Sequence, residues 1–314
     1  MARTFYYWDT TCLEHDTGRH VECIDRARRL EPSLLQRTVP KLDPQPIIEH
    51  DAVEWICKLH VRDYHDWVRQ RCETQAERSL LDHGDTVVSP RSYAAAIAAI
   101  NAALTAGDAV ASGRSSSAFC AVRPPGHHAL PDEAMGFCLF GTISILARYL
   151  QLQHGVGRVA IVDWDVHHGN GTQHFFYEDP SVFFVSLHQH PLWPGSGRAS
   201  ERGDGPGEGF TLNVPIPPFS PETEYLSAFE TKVLPALDAF QPEFLLISAG
   251  FDAHVADPLA SLQLTEASFG QLTRWLRQLA GQHCGGRIIS CLEGGYDLDA
   301  LEASVAAHVS ALME

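Results

Sequence analysis

The chain has 314 residues, is 45% hydrophobic, and carries 39 acidic against 23 basic residues, a net charge of −16. That apolar content is ample for a large core, and the length, although long for one domain, is within the range of large α/β folds. The charge disfavours a direct nucleic-acid partner, because duplex binding needs a basic footprint; it would attract cationic peptides or polyamines, although acidity that serves solubility alone is the stronger reading.

In chain order, Met1-Ala2-Arg3-Thr4 leads without a signal-peptide pattern into Phe5-Tyr6-Tyr7-Trp8, predicted as the first strand. No apolar run approaches the roughly 20 residues needed to span a bilayer, so no membrane partner is expected. An alanine-rich run with an apolar stripe predicts a helix over 92–106. The apolar run 118–122 then enters Arg123-Pro124-Pro125-Gly126-His127-His128-Ala129. A loop stiffened by proline can place two imidazoles near one reacting atom, and histidine is the side chain that most readily moves protons near neutral pH. A helix is predicted over 142–152.

The segment Ile161-Val162-Asp163-Trp164-Asp165-Val166-His167-His168-Gly169-Asn170-Gly171 is the most informative. In an extended backbone, residues two apart share a face, so Asp163, Asp165 and His167 present two carboxylates and an imidazole together. That donor set suits a divalent cation. Pairing with basic side chains is the plainer alternative, but no Lys or Arg lies between Arg158 and Arg198.

Further on come a glycine-rich loop over 203–209, a helix over 222–240, and the apolar run Phe244-Leu245-Leu246-Ile247-Ser248-Ala249. After Gly250 this run offers Asp252, which would serve as a strand-end ligand or as a helix N-cap. A helix over 265–282 precedes Ile288-Ile289-Ser290-Cys291-Leu292, which ends in Glu293-Gly294-Gly295-Tyr296. Tyr296 is either a packed aromatic or a phenol aimed at a developing oxyanion. A last helix is predicted over 298–313. The alternation argues for an α/β fold, a mainly parallel sheet with helices on both faces, in one domain spanning 1–314. In such sheets ligands bind outside the carboxyl ends of the strands, where the His, Asp and Tyr candidates lie. Eight cysteines at 12, 23, 57, 72, 120, 138, 284 and 291 form no CxxC pair, which fits free thiols in a cytoplasmic protein.

These stretches carry a family resemblance. RPPGHHA (123–129), MGFC (135–138), DWDVHHGNGTQ (163–173), VSLH (185–188), PGSG (194–197), NVPIP (213–217), SAGFDAH (248–254) and LEGGYDLDAL (292–301) follow the order found in zinc-dependent deacetylases of the arginase–deacetylase superfamily. The chain resembles the group containing class II histone deacetylases and acetylpolyamine amidohydrolases. The segment 20–26, HVECIDR, is a weaker match in which two family prolines are replaced by Val21 and Ile24; Phe219 also stands where relatives often have glycine. The resemblance implies Asp165, His167 and Asp252 as zinc ligands and His127 and His128 as the proton-handling pair, with Asp163 the partner of His127. Asn170 resembles the class II pattern, and Tyr296 the residue that stabilises the transition state. Gly136, Phe137, Trp193, Leu259, Gly294 and Gly295 would contact substrate along a narrow tunnel, and Arg26 would sit at the base of an inner cavity. Asp163, Asp165, His167, Ser186 and Leu187 would surround a structural potassium ion.

The chemistry so implied is amide hydrolysis by metal-activated water, with proton transfer by His128, or split between the two histidines, and an oxyanion hydrogen bond from Tyr296. The metal is expected to be Zn²⁺, with Fe²⁺ an alternative in the cell. Leu259 after Asp257-Pro258, and the Leu192-Trp193-Pro194-Gly195 stretch, resemble lysine-directed enzymes, so an acyl-lysine peptide or protein is the expected substrate and an acetylpolyamine the alternative. Residues 78–91 form a plausible mouth loop whose Asp82, His83 and Asp85 would either grip substrate or remain solvated, and the 203–209 loop is expected near the same mouth. A binuclear manganese hydrolase of the same fold and a catalytically silent binding protein are the rivals from other classes.

Overall fold

A computed structural model of the chain describes residues 3–82 and 84–314. Among the described residues there are ten strands: β1 (Thr4–Tyr7), β2 (Asp43–Pro44), β3 (Ser79–Leu80), β4 (Val87–Val88), β5 (Ser117–Cys120), β6 (Val159–Asp163), β7 (Val182–Gln189), β8 (Thr211–Ile216), β9 (Phe244–Ala249) and β10 (Ile288–Leu292). Eight of them form one sheet in the order β2-β1-β5-β10-β9-β6-β7-β8, every neighbouring pair parallel. β3 and β4 make a separate antiparallel hairpin. The expectation of a parallel sheet with helices on both faces is met.

The physical reason is legible in single strands. β6 and β9 are buried along their whole length, so they read as unbroken apolar runs. Within β6, Val159 and Ile161 join one core while Ala160 and Val162 join the other. Helices Ser92–Ala111 and Thr142–His154 cover the first face; Glu266–His283 and Leu298–Met313 cover the second. By length and mean hydropathy of 1.5, Ser92–Ala111 is apolar enough to cross a bilayer, which corrects the sequence reading. Its composition has a different cause here, since 72% of that window is buried against the sheet and neighbouring helices. The predicted helix over 222–240 is divided, with a wider turn at Phe229–Val233 between Glu222–Ala228 and Leu234–Phe240. All eight cysteines are free.

Two buried polar devices tie the layers together. Arg123 donates to Glu22 Oε2 at 2.8 Å and Arg26 to Glu22 Oε1 at 3.0 Å, which anchors the start of the 123–129 loop beneath the sheet edge. Arg123, Arg26 and Glu22 are all fully buried, and the two guanidinium groups hold Glu22 ionised against its burial. On the second face, His308 sits between Thr273 Oγ1 at 2.6 Å and Ser290 Oγ at 2.9 Å. The Thr273 hydroxyl donates to the Phe269 carbonyl, so it accepts from His308 Nδ1–H, and the imidazole is neutral.

Burial pushes the His308 pKa down to about 3, against an ordinary value near 6.5. Between these values the unfolded chain binds the proton and the folded one does not, so stability from this group is full above about pH 6.5 and is lost as pH falls toward 3. The expected loss is about 3 kcal/mol at pH 4. In urea unfolding across pH 4 to 7, His308→Gln should show a correspondingly shallower acid loss than the parent. Equal slopes would remove this assignment.

Candidate active site

The carboxyl ends of β5, β10, β9 and β6, four consecutive strands, point to one edge of the sheet and deliver the candidate residues together. β5 feeds the His127-His128 loop, β6 the 163–170 segment, β9 leads to Asp252, and β10 to Glu293 and Tyr296.

β6 ends at Asp163, so Asp165 and His167 lie beyond the strand and the shared-face argument holds only as far as that residue. Asp163 separates from the other two: its Oδ2 is 2.9 Å from His127 Nδ1, and its Oδ1 accepts the Asp165 amide at 3.1 Å. Asp165, His167 and Asp252 instead converge, with one donor atom each within 4.8 Å of the others and all three buried. His167 Nδ1 is 3.2 Å from Asp165 Oδ1 and 3.1 Å from Asp252 Oδ2. The backbone aims both carboxylates: His167 N donates to Asp165 Oδ1, Gly294 N to Asp165 Oδ2 at 2.8 Å, and Val166 N to Asp252 Oδ1 at 2.8 Å.

Among the described residues, no Lys or Arg forms an ion pair with Asp165 or Asp252. Burial resists the charged forms, yet the two carboxylates push His167 up to about 10, and burial with the Asp165 charge raises Asp252 to about 7. A proton between two buried carboxylates does what a cation would do there. The donor set of two oxygens and one imidazole nitrogen fits a divalent ion and leaves coordination positions for other ligands.

Beside this cluster the two imidazoles lie with ring centroids 3.8 Å apart, in different surroundings. Burial opposes a charge on His127, but Asp163, Asp165 and Glu293 outweigh it and hold the pKa well above the ordinary value. Burial and the positive neighbours His127 and His167 push His128 well below it. His128 Nδ1 is 2.8 Å from Asn170 Oδ1, and Asn170 Nδ2 donates back to the His128 carbonyl at 3.2 Å. That orientation makes His128 Nδ1 the protonated nitrogen and leaves Nε2 as a lone-pair base.

A cavity of about 380 Å³ leads to these groups, lined by Gly136, Phe137, Leu192, Trp193, Leu259 and Tyr296, with His128 and His167 in its wall. Gly136 has φ +57°, and a methyl there would overlap the His128 ring and the edge of Trp193. Phe137 meets Tyr296 edge-on at 5.8 Å between centroids, and Trp193 meets His128 edge-on at 4.7 Å. The Tyr296 ring also lies under the Arg26 guanidinium at 4.9 Å. Burial, reinforced by Asp252, raises the Tyr296 pKa, so the phenol keeps its proton for donation. Arg26 donates to the carbonyls of Gly295 and Glu293, which ties it to the turn that carries Tyr296. Ser186 pairs in register with Asp163 across β6 and β7, and Leu187 follows it, both fully buried.

Gly294 and Gly295 are not among the lining residues. Gly294 presses against the ligand carboxylates, where a methyl would overlap both Asp252 and Asp165. The 203–209 loop also stands apart from the cavity; Asp204 N is bonded to the Tyr177 carbonyl at 2.9 Å, beside a separate open groove of about 760 Å³ along Gln173 to Asp179. At the mouth, Asp82 is consumed by its own turn, accepting from Gly84 N, Thr86 N and the Thr86 hydroxyl. Asp85 faces the cavity together with Arg19 and His20. His83 lies outside the described residues.

Two contributors carried no role in the sequence reading. Asp257 accepts from Tyr296 N at 2.7 Å and Leu259 N at 2.9 Å, and so sets both residues at the wall. Glu293 Oε2 accepts from Gly126 N at 2.6 Å and His127 N at 3.1 Å, and burial pushes its carboxyl up to about 7. The only signal for either was a carboxylate beside a strand-end turn, which many structural residues share.

Comparison with known proteins shows the family. The histone deacetylase domain family matches residues 20–312. The chain is 38% identical to "Histone deacetylase 14, chloroplastic" of Arabidopsis thaliana over 98% of this chain and 76% of that one. It is 37% identical to "Histone deacetylase-like amidohydrolase" of Pseudomonas aeruginosa, over 94% and 82%. The crystal structure of the HDA15 HD domain superposes with a TM-score of 0.91 at 34% identity, covering 99% of this chain and 88% of that one. With the match running almost end to end, the chain belongs to the histone deacetylase family and is a hydrolase of that kind.

Proposed function

We propose that the protein, as one catalytic domain over 1–314, removes an acetyl or other short acyl group from the side-chain amide of lysine in a peptide or protein. The observation that carries this is the cavity walled by Phe137, Trp193 and Leu259, which also reaches His128, Tyr296 and, through His167, the Asp165–His167–Asp252 cluster. An extended acyl-lysine side chain fits such a passage, and Asp85 at its rim offers a carboxylate to substrate backbone amides or to cationic groups.

Asp165, His167 and Asp252 would hold zinc, with ferrous iron the alternative for the same donors. When bound, the ion supplies Lewis acidity, which activates water and polarises the amide carbonyl. His128 Nε2 takes the proton from the attacking water and returns one to the leaving lysine nitrogen, while Asn170 fixes its tautomer. Asp163 holds His127 in orientation and charge. The Tyr296 hydroxyl donates to the oxyanion that forms at the carbonyl. For a structural potassium ion we propose Asp163, Asp165, His167, Ser186 and Leu187, a reading supported by the β6–β7 register that places Asp163 beside Ser186.

Acetylpolyamine is the second substrate, favoured only by the acidic net charge and the carboxylate of Asp85. The zinc-loaded protein should hydrolyse an acetyl-lysine peptide in preference to N-acetylputrescine, and Asp252→Ala should abolish both activities. Preference for the polyamine would overturn the substrate and keep the chemistry. Activity surviving in Asp252→Ala would remove the metal cluster from the mechanism.

A further inference from the structure

Next to the paired histidines, a second group of donor atoms converges. His127, Cys138 and Glu293 each place one ligand-type atom within 4.8 Å of the other two, and all three residues are buried. None of these atoms belongs to the Asp165–His167–Asp252 set. Glu293 spends Oε2 on the amides of Gly126 and His127, and its Oε1 has no partner. A buried carboxylate oxygen without a partner is costly and asks for a ligand.

His127 is prepared for the same task. Its Nδ1 is 2.9 Å from Asp163, the arrangement in which a carboxylate orients the ring so that Nε2 can bind a metal once its proton is lost. The buried Cys138 thiol donates to the Gly136 carbonyl at 3.3 Å within its own turn, and it forms no disulfide. Imidazole, thiolate and carboxylate together are a donor set that zinc accepts in tetrahedral sites.

We infer that His127, Cys138 and Glu293 form a second zinc site whose occupation inhibits the enzyme. It is the weaker of the two sites, for two reasons. His127 Nε2 is 3.8 Å from Asp165 Oδ1, so the sites share a wall and two dications repel across it. The thiol and His127 Nε2 must also each give up a proton to solvent when the metal binds. An ion held on His127 Nε2 stands beside Asp165 Oδ1, 3.8 Å from that nitrogen, and draws on a carboxylate that the first site needs. Turnover therefore falls as the site fills. The inhibition rests on the deacylase reading above; the occupation of the site does not.

Cobalt separates the two sites, because the first contains no sulfur. Titrating the full-length metal-free protein with Co²⁺ should bind one equivalent without a thiolate-to-cobalt charge-transfer band. A second, weaker equivalent should bring that band in. Cys138→Ser should bind one equivalent and show no band. Asp252→Ala, which disables the first site, should still develop the band. Excess Zn²⁺ should lower parental turnover at least 10-fold, while Cys138→Ser keeps its basal turnover and resists. Should Cys138→Ser fail to fold by circular dichroism, Glu293→Gln serves, with the band and second equivalent weakened at least 10-fold. No sulfur band in the parent at excess cobalt, or a band of equal strength in Cys138→Ser, would overturn the proposal.

Discussion

His128→Ala is expected to lower kcat by about 10²- to 10⁴-fold, the range for loss of a positioned general acid–base group. Metal content should be unchanged, since His128 is not among the converging ligands. The two neighbouring imidazoles are not equivalent. His127 is held toward its protonated form by Asp163, Asp165 and Glu293, whereas burial and neighbouring positive groups favour neutral His128. Asn170 accepts at Nδ1, so the free lone pair of His128 is on Nε2. A base must be neutral before the proton arrives, and only His128 meets that condition. Turnover of His128→Ala and His127→Ala should be measured across pH with zinc occupancy determined for each. His128→Ala within about five-fold of the parent would move the proton carrier to His127.

Tyr296→Phe is expected to cost about 100- to 1000-fold in kcat, or roughly 3–4 kcal/mol of transition-state stabilisation. KM should change little, because the oxyanion exists only as the reaction proceeds. The substitution keeps the ring that meets Phe137 and the Arg26 guanidinium, so packing around it persists. The backbone anchor also persists, because Asp257 holds the amide of residue 296 and not its side chain. A matched fall in kcat and kcat/KM with full metal occupancy supports the role. Near-full turnover with bound metal would exclude it, and a rise in KM alone would make Tyr296 a wall of the cavity only.

Much of this site was legible before folding. The donors Asp165 and His167 stand in a run without Lys or Arg, which leaves their charge to be met by something else. The turn after each apolar run carries a polar group, and a parallel sheet gathers such turns at one edge. Other features were not legible. The shared face of Asp163, Asp165 and His167 was inferred from an extended backbone, but the chain leaves β6 at Asp163, and that break divides one apparent ligand set into the converging donors Asp165 and His167 and a partner for His127. Gly294 reads as a substrate-contacting residue, yet the space it leaves is filled by ligand carboxylates.

The sequence by itself determined the types of chemistry available and the class of fold, because apolar periodicity and strand-end residues are local properties of the chain. Tertiary structure decided which donors meet. The order β5-β10-β9-β6 brings together turns more than a hundred residues apart, and no local pattern encodes which strands become neighbours. It also decided which imidazole is held neutral and which is held toward its protonated form. That depends on Asn170, Asp163 and the depth of burial, and a proton's free energy is set by the surrounding charges and solvent in three dimensions.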